Sequence, residues 1–148
     1  MNQATPQQPT HQVLLVRDWD EQTTGSGCCG RLGGVTTEFG DACDFTETRA
    51  LMEQMGAIYR ALRAELPREV CDIQIVDARN MTFLYPGLYR AARRRGRTRG
   101  DALRAVAAGV RQGAIVVDGV TVCAGDPPPV DVAVDLVLRE LAGSAPVA

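Results

Sequence analysis

The chain has no lysine: all 16 of its basic side chains are arginine. That absence excludes a Schiff-base lysine and the phosphate-binding lysine of a Walker-type loop. Histidine is nearly missing too. The one copy, His11, falls in a polar leader, which sets aside Ser-His-Asp and Cys-His chemistry and histidine-rich zinc sites. Aromatic residues are 5% of the sequence, and no apolar run approaches a membrane span. The opening MNQATPQQPTHQ lacks both the basic and the apolar block of a signal peptide, so the expected compartment is the cytoplasm. There is no Cys-X-X-Cys pair.

What remains is an ordinary globular composition, 45% hydrophobic and 23% charged over 148 residues, which suits one domain with a real core. Residues 1–11 read as a disordered leader, 12–142 as the domain and 143–148 as a flexible tail. The net charge of -2 speaks against a dedicated nucleic-acid binder, and none is expected as a partner. The 5 cysteines, Cys28, Cys29, Cys43, Cys71 and Cys123, are an odd number without a secretion signal. Free thiols or thiolate ligands are therefore expected rather than a disulfide framework.

Hydrophobic patterning gives the order of elements. The run VLLV after Gln12 has the pattern of a strand covered on both faces. A long glycine-rich connection, 20–42, leads to Asp44-Phe45-Thr46-Glu47, a capping box. Leu51, Met55, Ile58, Leu62 and Leu66 then recur at helical spacing up to Pro67. Cys71, Ile73 and Ile75 mark one face of a second strand. Pro86 is expected to open a helix ending near Arg95, and Asp101 to cap a short one through Ala108. Ala114 to Val117 and Val120 to Cys123 flank Asp118-Gly119, a hairpin turn. Val130, Val134, Val137 and Leu141 line a last helix that Gly143 stops. Met52, Met55 and Met81 read as core filler, and Tyr85 and Tyr89 as packing residues. A right-handed crossover between the first two strands plus an antiparallel hairpin makes an α/β fold, a four-stranded mixed sheet with helices on both faces. By element order this fold resembles thioredoxin.

Chemistry concentrates in TTGSGCCGRLGG, residues 23–34. Adjacent Cys28 and Cys29 cannot close an unstrained disulfide, but they can offer two soft thiolates to one soft metal or metalloid ion. The flanking glycines let the backbone turn tightly, and Arg31 favours the thiolate form. Cys43, just before the first helix, is a candidate third ligand through the helix dipole, with an incidental loop cysteine as the alternative. Cys71 and Cys123 read as core residues; a Cys123 facing the loop would add a further thiolate. RAARRRGRTRG, residues 90–100, concentrates positive charge around Arg93, Arg94 and Arg95. Those arginines are the candidate docking surface for an acidic partner protein, with a solvated helix face as the alternative reading.

A strand, a vicinal Cys28-Cys29, a helix, a strand and the hairpin IVVDGVTVCAGDP together resemble the small arsenical-resistance metallochaperone family, over residues 13 to 142 in outline. The resemblance implies a thioredoxin-like carrier that holds arsenite or antimonite on cysteine thiols and hands it to an efflux ATPase, with weak repressor activity besides. The family's third cysteine corresponds here to Gly30-Arg31-Leu32-Gly33-Gly34, leaving Cys43 as its replacement. The expected function is thus a non-catalytic carrier of a soft metal, metalloid or sulfur equivalent, which passes its cargo to a partner with an acidic or thiol-bearing surface. The alternatives are a thiol oxidoreductase or transferase using Cys28 or Cys29 as nucleophile, and an interaction subunit whose cysteines are structural. Thioredoxin-like enzymes carry a cis-proline before the third strand, where this chain has Gln112-Gly113-Ala114.

Overall fold

A computed structural model describes residues 9–17 and 46–143, with the side chains of 46–48 excepted. Cys28, Cys29 and Cys43 lie outside the described residues. The elements are β1 (His11–Val16), α1 (Thr46–Glu65), β2 (Cys71–Val76), α2 (Met81–Arg94), α3 (Arg99–Gly109), β3 (Ile115–Val117), β4 (Val120–Cys123) and α4 (Val130–Gly143). They form the expected α/β arrangement, a four-stranded mixed sheet in the order β2-β1-β3-β4. β1 and β2 run parallel, in register from His11 beside Cys71 to Val16 beside Val76. β3 is antiparallel to both β1 and β4.

The central strand explains the layering. Val13 and Leu15 of β1 point into a cluster with Met55, Ile58 and Leu62 of α1 and with Ala133 and Val137 of α4. Leu14 and Val16 point the other way, to Leu84 and Leu88 of α2 and Val106 of α3. All four β1 residues are buried, each contributing about 1.5–3 kcal/mol of transfer free energy. A strand apolar on both faces needs a helix layer on each side, and it has one. Cys71, Ile73 and Ile75 share the α1–α4 face, as their alternation requires.

Four local expectations are corrected. β1 opens at His11, so this residue belongs to the strand and not to a leader. Its N–H reaches Val70 O at 3.1 Å, and its ring is held by Asp118. α2 opens at Met81, well before Pro86, which lies inside the helix. The amide that Pro86 lacks would have bonded the carbonyl of Thr82, and both residues sit on the solvent side, where water serves instead. α3 is capped by Thr98, not Asp101. The Thr98 hydroxyl accepts from Asp101 N–H at 3.1 Å and donates to the Asp101 carboxylate at 2.6 Å. Met81 is 56% exposed and fills no core, whereas Met55 is fully buried.

The sheet's outer edge at β2 is covered by one side chain. Arg63 donates to Cys71 O at 2.8 Å and Ile73 O at 3.2 Å, carbonyls on the side of β2 away from β1. An edge strand so occupied is a poor template for a foreign strand.

The β3–β4 turn fits its sequence closely. Asp118 has φ 47 and Gly119 φ 82, the double left-handed conformation of a type I′ turn. Gly119 also lies directly under α2. A Cβ there would stand 2.5 Å from Ala91 Cβ and 2.7 Å from the Ala91 carbonyl carbon. Gly87 is the opposite case: it sits inside α2, yet a Cβ would meet nothing within 4 Å. A helix-interior glycine costs about 0.5–1 kcal/mol relative to alanine, and packing does not require this one.

The contrast predicts that Gly119→Ala destabilises the domain by about 2 kcal/mol or more, through backbone collision and positive φ together. Gly87→Ala is expected to leave it equally or more stable. Urea unfolding of both variants followed by circular dichroism checks this.

Candidate functional site

The sheet has two chemically different ends. At one lie the carboxyl ends of β1 and β2, the start of β3 and the end of β4, with Leu15 beside Ile115 and Ile115 beside Cys123. The connection 18–45 departs here. Arg17 N–H is bonded to Val76 O at 2.9 Å, and its guanidinium reaches Met52 O near the start of α1 at 3.3 Å. The expected ligands Cys28, Cys29 and Cys43 belong to that connection, outside the described residues.

Of the remaining cysteines, Cys123 stands at this end. It is half-buried, with Sγ 3.5 Å from Asp126 O. Burial, and then the nearby Asp126 charge, push its thiol above the ordinary range. Gln54 of α1 closes the corner by donating to Pro127 O at 2.6 Å and Pro128 O at 3.0 Å.

The opposite end holds an ionic network that the sequence did not announce. The Asp118 side chain is 1% exposed. It accepts from Gln12 N–H at 2.7 Å and pairs with His11 Nδ1 at 2.8 Å. Arg95 Nη2 lies 3.5 Å from the same carboxylate, while its Nη1 is 2.8 Å from Glu140 Oε1. The chain Glu140–Arg95–Asp118–His11 thereby ties the ends of α4 and α2 to the hairpin turn and to the first residue of β1. Signals for it existed only in part: Asp118-Gly119 foretold the turn, but nothing near His11 foretold a partner 107 residues away.

Cys71 starts β2 at this same end, in register with His11. A thiol, an imidazole and a carboxylate thus meet at one sheet edge, the residue types of a cysteine hydrolase. The geometry is not that of one. Cys71 is fully buried, its Sγ faces Asp72 O at 3.9 Å, and no hydrogen bond joins it to His11. Burial raises its pKa to about 11, outweighing the opposing charge of Arg63. This thiol is a protonated core group, as expected of it, and not a nucleophile.

The candidate docking arginines separate from one another. Arg94 is exposed, and Arg93 is exposed with its guanidinium on Arg97 O. Arg95 follows the last residue of α2 and turns inward to Asp118 and Glu140. Its guanidinium is engaged within the fold.

Among the described residues no group of three or more His, Cys, Asp or Glu side chains is placed to hold a metal ion. No described helix is long and apolar enough to cross a membrane. Comparison of the chain with protein-family models, with curated proteins and with solved structures finds no match.

Two outcomes are expected. Asp118→Ala destabilises the fold by about 2–4 kcal/mol in urea titrations, because it leaves the Gln12 amide without its acceptor and removes one of the two carboxylates that face Arg95. Asp118→Asn costs less, since its carbonyl still accepts from Gln12. The second outcome concerns Cys71. Its folded pKa of about 11 exceeds the ordinary thiol value of 9.0, so the unfolded chain loses this proton first as pH rises. The associated stability is fully present below about pH 9 and is lost as pH rises through about 11. Cys71→Ala removes that alkaline loss, which thermal melts between neutral and alkaline pH will read. For the same reason Cys71 resists alkylation at pH 8 while the protein is folded.

Proposed function

We propose that the chain is a small thiol-based carrier with a thioredoxin-like fold, holding a soft metal, metalloid or sulfur equivalent on Cys28 and Cys29 and passing it to a partner protein. One observation carries the reading. The segment bearing the vicinal pair leaves the sheet at the carboxyl ends of two adjacent parallel strands, where open α/β sheets collect their ligands. Cys123 ends β4 at the same edge. The strand order β2-β1-β3-β4, with one parallel and two antiparallel neighbours, supports the thioredoxin-like reading of the fold.

The chemistry is ligand exchange without net oxidation. Two thiolates hold the ion, and a partner thiol adds to it while losing its proton. One thiolate of the pair then leaves and takes up a proton, so charge on the ion is never uncompensated. The Asp118 network at the far end ties β1, α2, the hairpin and α4 together without drawing on side chains of the cargo end. The interaction-subunit reading has an observation of its own, since Cys71 and Cys123 both have raised thiol pKa values through burial. Gln112-Gly113-Ala114 ahead of β3 offers no proline for an oxidoreductase.

The carrier reading predicts a native mass above the unfolded mass for protein purified without oxygen and exposed to arsenite, zinc or copper(I). The excess is absent from the Cys28→Ser/Cys29→Ser double variant, which keeps its circular dichroism. A wild-type protein that stays bare with each of the three ions and carries no covalent sulfur adduct contradicts the reading.

A further inference from the structure

Charge on this chain is sorted along the sequence. Residues 81–111, comprising α2, α3 and their junctions, hold 8 of the 16 arginines and 1 of the 18 acids. Elsewhere in the sequence 8 arginines stand against 17 acids. Within α2, Phe83, Gly87, Arg90 and Arg94 follow one another at helical spacing and share one stripe. Arg90 and Arg94 are exposed and enter no ion pair among the described residues.

A shallow groove runs along the flank of that stripe. Its walls are Phe83, Gly87, Leu88 and Ala91 of α2, and Leu14 and Val116 of the sheet form its floor. Its cavity volume is about 30 Å³, room for the tip of an apolar side chain and far too little for a cofactor. Phe83 is 46% exposed beside it, an apolar side chain that the fold leaves uncovered among the described residues. Gly87 keeps the wall low: a side chain there would meet nothing of this protein and would project into the opening. A helix-weakening residue that no packing requires is accounted for if the open space is used.

We propose that this groove receives apolar side chains from an acidic protein segment whose carboxylates pair with Arg90 and Arg94. Charge complementarity selects the occupant. Arginine forks match carboxylates in bidentate geometry, and the apolar groove beside them suits a segment mixing Asp or Glu with Leu, Ile or Phe. An extended nucleic acid would run from the basic layer onto the acidic remainder and be repelled there. The inference stands on described residues and does not depend on the thiol reading.

The test uses the full chain and a labelled helical peptide with glutamates on one face and leucines on the other, read by fluorescence anisotropy at low salt. Its companions are the same peptide with Leu→Ala throughout, a single-stranded oligothymidylate and phosphatidylserine vesicles. The Glu–Leu peptide is expected to bind most tightly, with affinity falling as salt rises. Gly87→Leu is expected to weaken it about tenfold while the melting temperature stays level or rises, an outcome that lost folding cannot imitate. Arg90→Glu/Arg94→Glu is expected to weaken it at least as much. Equal binding of the leucine-free peptide, tighter binding of the oligothymidylate or the vesicles, unchanged binding by Gly87→Leu, or no peptide binding at all would each overturn the proposal.

Discussion

A buried carboxylate is costly unless every one of its demands is met, and the fold is arranged so that those of Asp118 are. Its side chain, 1% exposed, needs donors from the start of β1 and from the end of α2 at once. Those donors reach it only when the hairpin forms a type I′ turn, β3 lies in register against β1, and α2 ends at the turn. Asp118 N–H returns a bond to Gln12 O at 2.8 Å, so backbone and side chain fix the same strand pairing. Apolar contacts would tolerate neighbouring registers. The carboxylate makes them expensive, because a shifted strand would leave a charge buried without its partners.

The sheet therefore has a locked end and an open one. At the locked end, His11, Asp118, Arg95 and Glu140 join β1, the hairpin, α2 and α4, and Arg63 covers the outer carbonyls of β2. At the open end the strands deliver their carboxyl termini to loops, among them the connection with the vicinal cysteines. Functional loops need a scaffold stiffer than themselves. Here an ionic network on the far side of the sheet joins the elements, so the proposed thiol chemistry on the loops would not compete with it for side chains.

What could be read in the sequence was what repeats locally. VLLV implies two covering layers, Asp118-Gly119 implies a primed turn, and the spacing of Leu51 through Leu62 implies a helix stripe; each of these has its cause within a few residues. His11 and Arg95 have theirs across the fold. A lone histidine after a run of Gln, Pro and Thr has no local pattern, and only tertiary structure brings Asp118 to it. Arg95 looks like its neighbours Arg93 and Arg94 until α2 stops at Arg94 and the next residue turns inward. Pro86 misleads for a different reason. Proline opens helices well because it lacks a donor, but an exposed helix face tolerates that lack too, since water satisfies the carbonyl left over. As for the site itself, the sequence points to Cys28, Cys29 and Cys43, and the described residues add only the edge from which their segment departs.

The all-arginine composition connects the two proposals physically. α2 follows β2, so its first turn rises from the open end of the sheet, and Phe83 in that turn is also a wall of the groove. A segment lying in the groove would have one end beside the strand termini and the other over the arginines near the locked end. Guanidinium groups stay charged at every physiological pH, so attraction to such a segment would persist through changes that protonate thiolates or exchange a soft ion. Lysines in the same positions would hold carboxylates as point charges, without the planar fork that orients them. Docking and thiol chemistry then respond to different variables: salt governs the first, and pH and thiophilic ions govern the second. A carrier that must find its partner loaded and leave it empty needs that separation, because an attachment sensitive to the state of the thiols would let go at the moment of transfer.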